Sequence, residues 1–278
     1  MFTRDELLRD ALSLDPLPAS SMRLTKILSE EDWSLEDVAK TAALDQVLTG
    51  ALLRYVNSVA IGGQHKITSV GPAVMRMGPG LVLSLAIGKG VSGPMKTDLP
   101  AYDMKEGDLF RHSVTAALAI EAMRRVGLKP PAGCFIAALV HDVGKLLIAR
   151  KLRGMGIKLT AGESGQPWVR DEAEQLGIDH AELGGAIARA WELPEGVPEA
   201  VAYHHRPHDL EPGLAKTMAQ FVAATDVVAH ALNVDEETEE PAPWDPVATV
   251  QLGLQPKDQQ RVRELTRKLI ESVFQLYK

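Results

Sequence analysis

Apolar residues recur at spacings of three and four positions in almost every segment of this chain. That periodicity predicts amphipathic α-helices, whereas the strict alternation typical of half-buried strands is scarce. Signals for helix starts agree with it: Thr3 and Glu6 fit a capping box, and Ser34 and Asp45 precede apolar runs as N-cap residues do. We therefore expect an all-α protein.

A segment rich in glycine and proline interrupts the helical pattern near residue 98. Residues 88–101 read GKGVSGPMKTDLPA, a composition typical of a connection between two units. We therefore predict two helical lobes, residues 1–98 and residues 99–278, the second a helical bundle closed by a C-terminal helix. The helices expected in the second lobe lie at 108–126, 131 to about 150, 181–191, 213–232 and 256–277. The acidic stretch 234–245 is expected to form a solvated loop.

Composition and charge narrow the classes of function. Lys and Arg total 30 against 37 Asp and Glu, and the formal net charge of −7 disfavours a surface built for nucleic acid. The longest apolar runs are far shorter than the roughly 20 residues that a membrane-spanning helix needs, and the first residues lack a signal-peptide pattern. Cys134 is the only cysteine, which suits a reducing compartment. We expect a cytoplasmic protein with no membrane or nucleic-acid partner.

Histidine and aspartate residues interrupt the apolar helices of the second lobe. His141 and Asp142 stand within AALVHDVGK, and Asp226 stands within VAATDVV. A buried imidazole or carboxylate is costly unless it is paired or bound to a metal. The other histidines of interest are His112, His180, His204 and His205.

This donor set has a definite metal chemistry. Imidazole nitrogens and carboxylate oxygens without thiolates suit iron, manganese, cobalt, nickel or zinc, rather than a structural cysteine-zinc site. Five histidines and two aspartates exceed the needs of one tetrahedral ion. An aspartate can bridge two ions about 3.5–4 Å apart, and such a pair can clamp a phosphoryl group and generate hydroxide. The residues predict divalent ions, as many as two, and metal-assisted phosphoester hydrolysis.

A purely structural explanation stays open for these residues. His141 and Asp142 could form a buried ion pair that only fixes helix packing, and His112 and Asp226 would then share that role. His180 follows a capping aspartate and could face solvent. Two adjacent histidines point in different directions on a regular helix, so both bind one site only at a helix end or a distortion.

The order of the His and Asp residues resembles the HD superfamily of metal-dependent phosphohydrolases, which includes the HD-GYP phosphodiesterases. The upstream part of the chain resembles the N-terminal region of the HDOD family, an HD-related bacterial module often found in signalling proteins and usually without a demonstrated activity. The residues that carry this second resemblance are Leu17-Pro18, LEDVA at 35–39, Asp45, LRYVNS at 53–58, ITS at 67–69 and Gly78. Together the two resemblances cover about residues 14–230.

The resemblance implies a role for each residue. The core metal ligands it implies are His112, His141, Asp142 and Asp226. Those it implies for a second ion are His180, His204 and His205, with Asp142 as the bridge. Lys145 would lie near enough to neutralise a substrate phosphate. In an active enzyme, Lys145 or Arg111 would offset charge in the transition state. Arg206-Pro207-His208 follows the histidine pair where the HD-GYP branch has a glutamate, and no Gly-Tyr-Pro occurs, which speaks against cyclic di-GMP hydrolysis of that type.

We therefore expect a bacterial signal-transduction module of the HDOD type with a His/Asp metal site. Its partner would be a signalling protein or a small nucleotide ligand. The alternative is an active metal-dependent phosphohydrolase or phosphodiesterase that acts on a nucleotide or cyclic dinucleotide, with Asp142 and Lys145 as catalytic residues. Substitution of Asp142 by alanine separates the two, because it abolishes turnover only in the enzyme.

Overall fold

The computed structural model of this protein describes residues 2–14, 17–30, 32–57, 66–83, 85–86, 97–160, 168–233 and 252–274. Within these ranges the regular structure is helical, and the only β-type pairing is an isolated bridge between Leu99 and Met104. The predicted all-α class is confirmed. None of the helices in these ranges combines the length and the apolar character needed to traverse a bilayer.

The N-terminal part of the chain contains short helices whose starts follow the predicted signals. These helices are α1 (Arg4–Leu12), α2 (Ala19–Ser29), α3 (Leu35–Ala43), α4 (Gln46–Val56) and α5 (Val70–Met77). Thr3 and Glu6 form the predicted capping box at α1. Ser34 and Asp45 each accept a hydrogen bond from the backbone N–H three residues later, at the starts of α3 and α4.

The C-terminal part is built around one long central helix. Its helices are α6 (Asp108–Arg125), α7 (Cys134–Val140), α8 (Gly144–Leu152), α9 (Val169–Leu176), α10 (His180–Ala190), α11 (Val197–Ala202), α12 (Leu214–Asn233) and α13 (Pro256–Phe274). Helix α6 packs against α7, α12 and α13, and most of its side chains are buried. A helix that is buried around most of its circumference lies in the core of the fold.

The helix predicted from residue 131 to about 150 is divided in two by a turn at residues 141–143. The N–H groups of Val143, Lys145 and Leu146 bond to carbonyl groups three positions earlier, the tighter pattern of a 3₁₀ turn. Gly144 follows the turn where α8 approaches α10: a Cβ added there would lie 2.1 Å from the carbonyl oxygen of His180. The sequence pattern does not show this close approach, which only glycine permits.

The predicted division into two lobes stays a prediction. Residues 87–96, which hold most of the proposed boundary, and the acidic stretch 234–245 lie outside the described residues. Helix α1 packs against α10 and α8, so the first helix of the predicted N-terminal lobe rests on the second lobe. Helix α13 packs back onto α6 and α12, as its alternation of charged and apolar residues predicts.

Candidate metal centre

All seven predicted metal ligands lie together in one cluster. They come from α6, the turn after α7, the first residue of α10, the turn after α11, and α12. Their possible ligand atoms form three overlapping groups, each with atoms within 4.8 Å of one another. The members of this His/Asp cluster are His112, His141, Asp142, His180, His204, His205 and Asp226.

One half of the cluster contains both aspartates. His112 Nε2 lies 2.9 Å from Asp226 Oδ1 and 3.2 Å from His141 Nε2. His141 Nε2 lies 3.4 Å from the same Asp226 oxygen. Asp142 Oδ2 lies 3.5 Å from each of these two imidazole nitrogens. Two imidazoles and two carboxylates therefore converge on one point, and we call these four residues the mixed half.

The other half is rich in imidazoles. His180 Nε2 lies 3.0 Å from His205 Nε2 and 3.1 Å from Asp142 Oδ1. The rings of His204 and His205 lie 3.9 Å apart, and the ring of His204 lies 5.6 Å from that of His180. We call His180, His204 and His205 the imidazole half. Asp142 thus presents one oxygen to each half, as a bridging carboxylate does.

The adjacent pair His204-His205 can face one site because it does not lie within a regular helix. Helix α11 ends at Ala202, and the pair occupies the turn that follows it. This is the helix end that the sequence required if both imidazoles were to point the same way. The structure brings both rings into the imidazole half.

Backbone carbonyl groups fix the orientation of two rings. Nδ1 of His141 lies 2.8 Å from the carbonyl oxygen of Ala138, and Nδ1 of His204 lies 2.7 Å from that of Val201. A carbonyl oxygen only accepts, so each Nδ1 carries a hydrogen and each Nε2 faces the cluster. His204 Nε2 is buried and has no hydrogen-bond partner among the described residues.

This arrangement fits divalent metal ions. An imidazole lone pair that faces a carboxylate oxygen is unfavourable unless a proton or a cation lies between them. Metal-binding histidines are oriented in this way, with the second ring nitrogen hydrogen-bonded to a carbonyl or carboxylate group. The mixed half would hold one ion, and the imidazole half with Asp142 Oδ1 would hold another.

Burial keeps several of the imidazoles in the neutral form that binds metal. It lowers the pKa of His112 to about 4, despite the hydrogen bond to Asp226. It also lowers the pKa of His204 to about 3 and that of His205 well below its usual value, with nearby imidazoles adding to the effect. These three imidazoles are metal ligands without a proton to displace.

His180 and His141 differ from these three residues. Nearby carboxylates outweigh burial and raise the pKa of His180 to about 9 and that of His141 above its usual value. A metal would therefore displace their protons.

The carboxylates stay ionised although they are buried. Burial alone would raise the pKa of Asp142, but the charges of Lys145 and His141 hold it well below its usual range. The pKa of Asp226 is likewise held low against burial, by His230 and by hydrogen bonds from His112 and His141. Both carboxylates therefore offer charged oxygens at neutral pH.

Lys145, predicted to bind a substrate phosphate, is engaged elsewhere in the structure. Its Nζ lies 2.7 Å from Asp142 Oδ2 and 4.6 Å from the centre of the Trp168 ring. The side chain is only 2% exposed. Its ammonium group therefore neutralises Asp142 directly, and a phosphate role stays a prediction. Arg111, the other residue that would offset charge in an active enzyme, is exposed on α6.

Glu172 is a residue of the site that the sequence pattern did not indicate. This residue of α9 is fully buried, and its Oε2 lies 2.8 Å from His180 Nδ1. The one signal in the sequence is its position four residues before Leu176, on the same helix face, where an apolar residue is expected. Glu172 and Leu176 are the two buried residues of α9.

The three remaining histidines are not among the seven cluster residues, and they differ in their surroundings. His230 Nε2 lies 3.3 Å from Asp226 Oδ1, consistent with the orienting role that its spacing suggests. His208 is exposed and lies beside Asp209. His65 lies outside the described residues.

Solved structures share this fold. A candidate phosphohydrolase from Shewanella amazonensis is 22% identical, with a TM-score of 0.65 and coverage of 97% of both chains. An HDOD domain protein of unknown function from Geobacter sulfurreducens is 23% identical, with a TM-score of 0.64 and coverage of 98% of this chain and 95% of the other. A candidate signal transduction protein from Marinobacter aquaeolei VT8 is 20% identical, with a TM-score of 0.68 and coverage of 96% of this chain and 60% of the other. At these identities the likeness shows the fold alone.

Sequence comparison identifies the family. An uncharacterized protein of Treponema pallidum is 27% identical over 202 residues, which cover 69% of this chain. The match spans only 38% of the length of that relative. The family model of the HDOD domain matches residues 14–207. The chain therefore belongs to the HDOD family.

Proposed function

We propose that this chain is a signal-transduction module whose His/Asp cluster binds divalent transition-metal ions. The observation that carries the proposal is the orientation of the buried rings of His141, His180 and His204. Each ring is hydrogen-bonded through Nδ1 to a carbonyl or carboxylate group, and each turns Nε2 towards the cluster. A purely structural ion pair needs no such common orientation.

The balance of charge supports the same proposal. Three buried carboxylates and one buried ammonium group leave an excess of negative charge at the cluster. The carboxylates belong to Asp142, Asp226 and Glu172, and the ammonium group belongs to Lys145. In the metal-free chain protonated imidazoles offset this negative charge. Although burial opposes the shift, Glu172 raises the pKa of His180 to about 9. Against the same opposition, Asp142 raises the pKa of His141 above its usual value. A divalent ion can take the place of those two protons, because it compensates the same buried negative charge. One divalent ion neutralises it, and a second makes the cluster positive, which suits a phosphate-bearing ligand.

The donor set constrains the ion. Imidazole and carboxylate groups suit iron, manganese, cobalt, nickel and zinc, and selection among them depends on geometry and availability. When bound, such ions supply Lewis acidity and stabilise charge at a phosphoryl group. The chain's own groups orient the ligands and neutralise Asp142 through Lys145.

An active phosphohydrolase is the second candidate, and the position of Asp142 favours it. Its two oxygens face the two halves of the cluster, as in sites that hold a pair of ions on either side of a phosphoryl group. The cluster also has an outer edge at His230, whose side chain is 38% exposed beside Asp226. A nucleotide phosphate could reach the cluster from that side.

The experiment that tests metal binding is elemental mass spectrometry of the purified chain after anaerobic loading with Fe(II) or Mn(II). We expect about two ions per chain, and we expect both to be lost or strongly weakened in Asp142→Ala, because Asp142 serves both halves. Asp209→Ala, an exposed aspartate next to the cluster segment, is the matched control and should keep both ions. A wild-type chain that binds no metal under any loading condition contradicts the proposal.

The same variants separate the two candidates. The loaded protein is assayed with phosphomonoesters, nucleotides and cyclic dinucleotides. Turnover that is present in the wild type and absent in Asp142→Ala supports the enzyme. A chain that binds metal without turnover supports the regulatory module, in which metal loading should change binding to a signalling protein or a nucleotide.

A further inference from the structure

We infer that Glu172 is a positioning residue for the imidazole half and sets its affinity for a metal ion. The inference rests on the proposed function, because it concerns the same cluster. Glu172 lies outside the seven predicted ligands, and it contacts the imidazole half but not the mixed half.

Both carboxylate oxygens of Glu172 have defined partners. Oε2 accepts hydrogen bonds from the backbone N–H of His180 at 2.6 Å and from its Nδ1 at 2.8 Å. Oε1 lies 3.0 Å from the same Nδ1 and accepts the hydroxyl of Tyr102 at 2.7 Å. These hydrogen bonds fix the carboxylate against Nδ1 of the His180 imidazole. The opposite ring nitrogen, Nε2, therefore faces Asp142 and His205.

The imidazole half needs this carboxylate more than the mixed half does. Among the seven residues of the cluster, the carboxylates of Asp226 and Asp142 both contact the mixed half, whereas the imidazole half contacts only the carboxylate of Asp142. Once a divalent ion is bound, its three imidazole ligands are neutral and provide no charge to balance it. A carboxylate that accepts a hydrogen bond from Nδ1 makes Nε2 a stronger electron-pair donor to a metal ion. It also places a negative charge on the far side of the imidazole ring from the ion.

Tyr102 holds the outer oxygen of Glu172. Its ring is buried and lies edge-on to Trp168, with ring centres 5.8 Å apart. Burial and the nearby Glu172 raise the pKa of Tyr102 well above its usual value, so its hydroxyl stays protonated and donates. Tyr102 ends the 3₁₀ turn Pro100–Tyr102, which ties the segment before α6 to the imidazole half.

A role in folding alone makes a different prediction. Glu172 also accepts a hydrogen bond from the first backbone N–H of α10. Its loss could therefore weaken the start of that helix without changing the affinity of the cluster for metal. In that case both halves would keep their affinity in any folded variant. A positioning role instead predicts an effect on one ion and not on the other.

The test compares Glu172→Gln with Glu174→Gln. Both glutamates lie on α9, but Glu174 is exposed and pairs with Arg170, so its variant is the matched control. Mn(II) and Co(II) are titrated into the metal-free chains, and bound ions and dissociation constants are measured. We expect two ions for wild type and Glu174→Gln. For Glu172→Gln we expect one ion at unchanged affinity and a second weakened roughly 10–100-fold.

The outcomes separate the two proposals. Glu172→Gln with two ions at wild-type affinity overturns the inference and leaves the proposed function intact. An equal loss of affinity for both ions also overturns the inference. A wild-type chain without metal removes the proposed function itself.

A milder variant decides the matter if Glu172→Gln does not fold. Tyr102→Phe removes one hydroxyl and leaves the ring packing and the carboxylate in place. We expect it to weaken the second ion about 3–10-fold, below the loss expected for the carboxylate itself, and to leave the first ion unchanged. Unchanged affinity for both ions in Tyr102→Phe overturns the inference.

Discussion

Asp179 and Arg206 form an ion pair of 2.7 Å that joins the two segments of the imidazole half. Asp179 directly precedes His180, and Arg206 directly follows His205. The other carboxylate oxygen of Asp179 caps α10 by accepting the N–H of Glu182 at 2.7 Å. One aspartate therefore fixes both the start of α10 and the turn after α11.

Replacement of Asp179 by alanine should destabilise the metal-free protein. The lost cap alone lowers the free energy of unfolding by about 0.5–2 kcal/mol, and the broken pair adds to that loss. Urea unfolding followed by circular dichroism measures the change. Arg206→Met keeps the cap and breaks only the pair, so it should cost less. Equal losses in the two variants contradict this division.

Asp179 also gives the stability of the protein a defined dependence on pH. Hydrogen bonds from Glu182 and Arg206 lower its pKa in the folded state, although burial opposes them. The stabilisation is therefore complete above the unfolded pKa of about 3.9 and is lost as the pH falls through the lower folded value. Asp179→Asn keeps a capping side chain without the charge.

The difference in unfolding free energy between wild type and Asp179→Asn should therefore shrink as the pH is lowered from about 5 to about 3. Urea unfolding at a series of pH values measures it. A difference that stays constant over that range would show that the charge of Asp179 contributes nothing.

Gly144→Ala should strongly destabilise the fold. The added Cβ would lie 2.1 Å from the carbonyl oxygen of His180 and 2.9 Å from the backbone nitrogen of Gly184, and backbone atoms cannot yield as a flexible side chain does. We expect a loss of about 1–3 kcal/mol or more in unfolding free energy, and weaker binding of metal.

Gly71→Ala is the matched control for that variant. Gly71 lies in α5, and no heavy atom lies within 4 Å of a Cβ added there. Gly71 is in the first turn of α5 and precedes Pro72, which disfavours helical backbone at a residue with a Cβ, so the gain of about 0.5–1 kcal/mol that alanine brings in a helix interior is offset. We expect this variant to change the free energy of unfolding by less than about 1 kcal/mol. Thermal unfolding of both variants gives the comparison. A Gly144→Ala protein as stable as the wild type would contradict the close approach of α8 and α10.

Cys134 should be almost unreactive in the folded protein. Burial raises the pKa of its thiol to about 12, and the side chain has no exposed surface. Since the thiolate is the reactive form, alkylation at pH 8 should be far slower than in the unfolded chain. Reaction with a chromogenic disulfide, with and without urea, measures the ratio. Rapid reaction of the native protein would contradict the burial of this residue.

Much of the fold could be predicted because its signals are local. Capping residues such as Thr3, Ser34 and Asp45 act on backbone groups three residues away, and the structure shows each in that role. His141 and Asp226 stood out because a polar side chain in an apolar helix must be compensated. Their convergence with the other ligands follows from helix packing, which the resemblance to the HD superfamily supplied.

The parts that sequence did not predict depend on long-range contacts. The turn at residues 141–143 follows from the close approach of Gly144 to His180, which are 36 positions apart in the chain. Glu172 looks like an ordinary surface residue in VRDEAEQL, and only the packing of α9 against α10 places it behind His180. The apolar neighbours of Asp142 indicated that it is buried, but no local pattern indicated that Lys145 is buried beside it.

The burial of the helices that carry the cluster makes the lifetime of the site equal to that of the fold. Backbone amide hydrogens near His112 lie on a helix packed against α7, α12 and α13, so they should exchange with solvent only when the protein unfolds globally. The residues of the imidazole half lie at the start of α10 and after the six-residue helix α11. These two helices pack against each other, and Leu183, Ile187 and Val201 are fully buried in the core. Both halves should therefore persist as long as the fold does, and the amide hydrogens that follow His180 in α10 should exchange as slowly as those near His112.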